Sequence, residues 1–191
     1  LTKYSFADRV RVILQQPPPN KFSVAGISTV HFIIPSICTL TASVNNLLSG
    51  SYYFVIKHRN SIETRSANPV TISPSGTTYY DFTTDQSKAF GNNVTQSGTV
   101  WSVYSGDINQ DGVIDAWDLS QAENGASVGL SGYVNSDVTG DNFVDGTDFA
   151  IADNNAAQFV QEVAPPGAVD MSVPDLNELQ KQLSAEKDPM L

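Results

Sequence analysis

The sequence predicts a mainly β fold: a β-sandwich over residues 1–104, a small α module over 105–163, and a linker with a helical tail over 164–191. Three observations carry this. Short runs rich in Val, Ile, Thr, Tyr and Phe recur through the first half, broken by turn residues roughly every 8–12 positions. An acidic twelve-residue pattern then occurs twice, each copy followed by a helix-like run. The last segment pairs a Pro-rich stretch with one amphipathic stripe.

The first strand is RVRVILQ (9–15), with Val10, Val12 and Leu14 on one face and Arg9, Arg11 and Ile13 on the other. Pro17, Pro18 and Pro19 stop it, since proline cannot donate to a ladder. STVHFIIPS, CTLTASV, SYYFVIKHR, PVTIS, TTYYDFT and TVWSVYS continue the series. NNLLSG, SANP, SPSG and FGNN separate later members of that series and supply the turns. Because the first strand is short and bounded by prolines, it is an easily detached element that could complete a neighbouring sheet.

The two acidic copies are DINQDGVIDAWD (107–118) and DVTGDNFVDGTD (137–148), thirty residues apart. Oxygen-bearing side chains fall at positions 1, 3, 5, 9 and 12: Asp107, Asn109, Asp111, Asp115 and Asp118, then Asp137, Thr139, Asp141, Asp145 and Asp148. This spacing wraps a loop around a hard cation that takes six or seven oxygens. Position 7, Val113 or Phe143, lends its backbone carbonyl. Position 8, Ile114 or Val144, suits a short β-bridge tying the two loops back to back. Gly112 and Asn142 stand at position 6, where the sharp turn favours positive φ. The bland alternative is a pair of solvated acidic turns. Against it, Ser105–Asn155 holds ten Asp or Glu and no Lys or Arg, and carboxylates so dense repel unless a cation sits among them. The expectation is two Ca²⁺.

Both loops end in Asp, where the intracellular EF-hand uses Glu, and neither follows an entering helix: Gly106 precedes one, Asn135–Ser136 the other. With LSQAENGA and FAIADNNAAQFV following, the pair resembles the loop–helix duplication of dockerin modules. That resemblance implies calcium at all ten side-chain positions, and a cohesin-like partner or the cell surface as an anchoring site. Dockerin helices usually carry basic and aliphatic residues toward cohesin, whereas these are acidic, Asn-rich and Ala-rich, with Gly125 in the first. The segment LLSGSYYFVIKHRNSIETRSANPVTI resembles a strand pair of Ig-like or transthyretin-like sandwiches in secreted bacterial proteins. Residues from about 38 to 163 resemble a C-terminal module of large bacterial surface proteins, which implies one fused sandwich-plus-calcium unit.

The tail begins with Ser172 three residues before Asp175, a capping signal, and Leu176, Leu179 and Leu183 form one stripe. A free helix this short is marginal in water, so it needs a surface.

Charge is split sharply. Residues 1–104 carry eight basic and four acidic side chains, a net of +4; residues 105–191 carry two and sixteen, a net of −14. Eight scattered basic residues make no nucleic-acid face. No apolar run approaches the roughly 20 residues of a membrane helix. Cys38 is the only cysteine, so no intrachain disulfide forms, and its apolar setting suits a small buried hydrophobe. A start at Leu1 without a signal peptide fits a processed, exported product, and loops of this type fill best where calcium is abundant, outside the cell.

No catalytic residue is assigned. His31 and His58, the only histidines, sit in no triad or metal motif, and the carboxylates are committed to the loops. Tyr52, Tyr53, Phe54, Tyr79 and Tyr80 could stack on a sugar, though paired aromatics in strands more often pack a core. Asn93-Val94-Thr95 fits a glycosylation sequon. The functional expectation is a non-enzymatic, calcium-stabilised extracellular protein assembling with its own copies through the first strand and the tail. The alternatives are an anchoring module and a carbohydrate-binding sandwich.

Overall fold

A computed structural model describes residues 11–15, 24–34, 38–47, 50–72 and 77–167; the side chains of 11–13 and 24–47 are outside that description. The tail stripe Leu176, Leu179 and Leu183, the proline stop at 17–19, and the side chains of His31 and Cys38 therefore lie outside the described residues.

Among the described residues the chain is mainly strands, followed by two α-helices. The strands are β1 (Arg11–Gln15), β2 (Val24–Ile34), β3 (Cys38–Leu47), β4 (Gly50–His58), β5 (Ser61–Arg65), β6 (Val70–Ile72), β7 (Thr77–Asp81), β8 (Thr95–Ser97) and β9 (Val100–Ser102). The helices are α1 (Ala116–Ser127) and α2 (Gly146–Ala157). One sheet runs β1-β4-β5, with β6 also paired to the start of β4; a second runs β3-β2-β7; β8 and β9 form a hairpin. Every pairing is antiparallel except β2 with β7, which is parallel. The first predicted strand is present and lies on its own chain's β4, with Leu14 opposite Phe54.

Alternation along β4 builds the core. Tyr52, Phe54 and Ile56 are buried and cluster with Ile72 and Phe82, while Leu14, Val70 and Tyr80 pack against them. Phe54 meets Tyr80 of β7 edge to face at 5.7 Å, and Tyr80 meets Phe82 at 4.7 Å, so aromatic contacts join β4 to the other sheet. Each such fully buried side chain contributes roughly 1.5–3 kcal/mol. The Tyr80 hydroxyl stays paired, donating to the Lys88 carbonyl at 2.6 Å. Tyr52 is thus buried in this cluster and Tyr80 packs against it.

β5 is unusual in being buried along its whole length despite the sequence SIETR. Its charged side chains close a network: Arg65 donates to Glu63 at 2.5 Å, to Gln15 at 3.2 Å and to Glu162, while Lys57 pairs with Glu63 at 3.1 Å. Glu162 lies beyond α2, so the network ties the sheet to the helical segment. A second core does the same with apolar groups: Ile62 of β5 packs with Ile114 and Val160, flanked by Tyr104 and Ala156.

Candidate metal centre in two acidic loops

Each acidic copy folds as a loop running directly into a helix. Asp115 and Asp145, at position 9, are the N-caps of α1 and α2, and Asp118 and Asp148, at position 12, complete capping boxes. In loop 1 the Asp118 carboxylate accepts from the backbone N–H groups of Ile108 (2.8 Å), Asn109 (3.1 Å) and Asp115 (2.9 Å). In loop 2 Asp148 accepts from Thr139 (2.8 Å) and Asp145 (2.9 Å). Asp107 accepts from Asp111 and Gly112, and Asp137 from Gly140, Asp141 and Asn142. Asp111 and Asp141 each close a short turn on the N–H of position 7, Val113 or Phe143.

The two loops share one burial plan. Positions 1 and 12 are buried (Asp107, Asp118, Asp137 and Asp148), whereas Asn109, Asp111 and Asp141 are exposed, as is Asp145, and Thr139 and Asp115 are half-buried. Position 6 has the expected left-handed backbone, φ 87° at Gly112 and 71° at Asn142. Position 4 has it as well, φ 62° at Gln110 and 77° at Gly140. Glycine at position 4 of the second copy is the sequence signal for that feature, although Gln110 in the first obscures it.

Inter-loop pairing departs from expectation. Ile114 and Val144 do not bridge loop to loop. Ile114 N–H donates to the Val160 carbonyl at 3.0 Å, and Val113 bridges Gln161; Val144 N–H donates to the Leu130 carbonyl at 2.9 Å, and Phe143 bridges Ser131. Each loop therefore pairs with the segment leaving the other loop's helix, and the same thirty-residue offset relates the two sets. The apolar position 8 is used as anticipated, but its hydrogen-bond partner is different. Burying Ile114 between Ile62 and Val160 explains why: the segment after α2 reaches both the loop and β5, which a loop-to-loop bridge would not.

Electrostatics at the first loop are tense. Burial, then the Asp118 and Asp111 charges, push the Asp107 carboxyl up to about 6 from the usual 3.8. At the rim of the second loop, the hydroxyl and N–H of Thr147 hold Asp145 below its usual value. Among the described residues, no group of three carboxylate, histidine or cysteine side chains is gathered tightly enough to form a ready-made metal cluster. The oxygens face the loops' own N–H groups instead. The donor set nonetheless fits a hard cation: it is all oxygen, it is set on left-handed turns at positions 4 and 6, and its exposed members have room to rotate. Charge crowding at Asp107 is the kind of strain that a bound cation relieves.

Sequence reasoning missed how the sheet grips the second loop. The β4–β5 turn places Arg59 and Asn60 against the segment entering it. The Arg59 guanidinium donates to the Asp137 carbonyl at 3.0 Å, lies 3.6 Å from the Asp137 carboxylate, and sits over the Tyr133 ring at 4.2 Å. Asn60 donates to the carbonyls of Asn135 (3.0 Å) and Asp137 (2.7 Å). Read as sequence, HRN is an ordinary polar hairpin tip. His58 is half-buried and contacts the Ser61 hydroxyl at 3.2 Å. The sequon side chain of Asn93 donates to the Gln161 carbonyl at 3.0 Å. No helix among the described residues is long and apolar enough to cross a membrane.

Comparison with known proteins gives no relative: no protein-family profile, no curated protein and no solved structure matches the chain.

Proposed function

We propose that the chain is a non-enzymatic structural protein of the cell exterior, stabilised by two Ca²⁺ in a dockerin-like loop pair fused to an Ig-like β-sandwich. One observation carries the reading. Two loops thirty residues apart repeat the same frame of buried end carboxylates, left-handed turns and capping boxes, with an oxygen at every ligand position. In loop 1 the ligands are Asp107, Asn109, Asp111, Asp115 and Asp118 with the Val113 carbonyl. In loop 2 they are Asp137, Thr139, Asp141, Asp145 and Asp148 with the Phe143 carbonyl. Calcium supplies charge and coordination there; the chain supplies oxygens and a scaffold. Proposed boundaries are 1–104 for the sandwich, 105–163 for the loop pair and 164–191 for the linker and tail. The contacts through β5 support treating the first two as one fused unit.

Self-assembly is the role proposed for the ends. β1 occupies the edge of its own β4, and exchange with a neighbour would place the same strand on the same edge of another copy. The measurement is light scattering and electron microscopy of the full chain and of versions lacking 1–16 or 168–191, in calcium. Concentration-dependent polymers from the full chain, dispersed by either truncation, support assembly. A full-length protein that stays monomeric at high concentration, or truncations that simply unfold, defeats it.

The second reading is an anchoring module. It draws on exposed apolar side chains around the loop pair, including Trp117 (73% exposed), Phe143 (64%) and Phe159 (85%). Retention on immobilised cohesin in calcium, with no polymers, would favour it.

A further inference from the structure

The two loops share one ligand frame and the same left-handed turns, yet they meet different electrostatic surroundings. Arg59 pairs with the carboxylate and carbonyl of Asp137, the first residue of loop 2. Among the described residues no basic side chain pairs with a carboxylate of loop 1. There the corresponding carbonyl, that of Asp107, accepts instead from the neutral Gln110 amide at 2.8 Å.

We propose that Arg59 makes the two loops inequivalent, so that loop 1 takes calcium first and more tightly, while loop 2 binds it more weakly. This rests on the calcium reading above. The guanidinium is nearly buried, its side chain only 10% exposed, so solvent screens it little. Its positive charge offsets part of the negative potential that draws a divalent cation to loop 2. A unit charge at close range to a divalent ion changes affinity by roughly tenfold even at the dielectric constant of water. The same contact holds the Asp137 segment against the sheet, assisted by the two Asn60 hydrogen bonds and the Tyr133 ring. Loop 1 meets the sheet through Ile114 on Ile62 and the Gly106–Asn60 backbone bond, with no basic side chain among the described residues paired to its carboxylates. Arg59 therefore acts as a positioning residue that exchanges cation affinity in loop 2 for docking of loop 2 on the sheet.

The test is calcium calorimetry on the full chain with each loop disabled in turn at its exposed position 5. Asp141→Ala leaves loop 1 to bind and Asp111→Ala leaves loop 2. The expected result is that loop 1 binds roughly tenfold more tightly than loop 2. Adding Arg59→Gln, which keeps a donor but removes the charge, should raise loop 2 affinity by roughly tenfold and leave loop 1 within about twofold. A loop 2 as tight as loop 1, or an Arg59→Gln chain whose loop 2 affinity is unchanged or falls, overturns the proposal. Should Arg59→Gln fail to fold, the comparison of the two loops with Arg59 in place decides alone. Absence of calcium binding in both loops overturns the calcium reading itself, a separate outcome.

Discussion

Asp118 and Asp148 do two jobs at once. Each is fully buried, each accepts two or more backbone N–H bonds, and each stands at position 12, the proposed ligand position with two oxygens. Replacing either with Ala should cost more calcium affinity than Asn109→Ala or Thr139→Ala, whose side chains are neutral and at best monodentate. Calorimetry of the four variants checks this, and equal losses would mean the loop register is misassigned. The capping role adds a cost independent of calcium. Asp118→Ala leaves buried N–H groups without an acceptor, so in chelator it should still destabilise by roughly 1–3 kcal/mol in urea unfolding. Asp107 carries the pH signature. Its folded pKa of about 6 lies above the usual 3.8, so the folded chain holds that proton more tightly than the unfolded one. Calcium-depleted protein should therefore lose stability as pH rises from about 4 to about 6. Calcium competes with the proton for the same oxygens, so at saturating calcium stability should instead rise through that window. Urea midpoints across it, with and without calcium, would expose an error if both series had the same slope.

At the scale of elements, α1 is positioned by a glycine. A Cβ on Gly125 would come within 2.9 Å of a Val144 methyl and 3.1 Å of the Ser136 hydroxyl, so the helix sits as close to loop 2 as a bare backbone allows. Gly125→Val should destabilise the loop pair by roughly 1–3 kcal/mol through overpacking, whereas Ala at exposed Gly146, with no neighbour within 4 Å, should not. Thermal unfolding of the two variants compares them directly; similar losses would show that the close approach is not the cause. Read from sequence, Gly125 is a blemish in a helix; only the packing of α1 on Val144 makes sense of it. The same distinction explains what else was legible. Ligand spacing, position-6 turns and the helices after each loop are local geometry, so 107–118 and 137–148 could be read directly. Strands β4, β6 and β7 announced themselves by composition, whereas SIETR of β5 did not. Which segment Ile114 and Val144 pair with, and that β7 runs parallel to β2, are choices between partners far apart in the chain, and the same apolar residues satisfy either one. Arg59 and Asn60 gave no signal because their partners lie more than seventy residues away.

Across the whole molecule, sheet and loop pair are bound by contacts of three kinds: the Ile62–Ile114–Val160 cluster, the Arg65–Glu162 and Arg59–Asp137 ion pairs, and backbone bonds from Ile62 to Tyr104 and from Gly106 to Asn60. Such coupling would carry the free energy of cation binding into the sheet. A site filled at a hundred times its Kd stabilises by roughly 2.7 kcal/mol, and two sites by about twice that. The central claim is that these loops are calcium sites on which the fold depends. Isothermal calorimetry of chelator-stripped protein with calcium, followed by thermal unfolding of the same samples, tests it most directly. The account predicts two ions bound per chain and one cooperative transition that moves up by many degrees on calcium addition, carrying the sheet with the loops. No calcium heat and an unmoved transition would contradict it, leaving the acidic loops as capped turns.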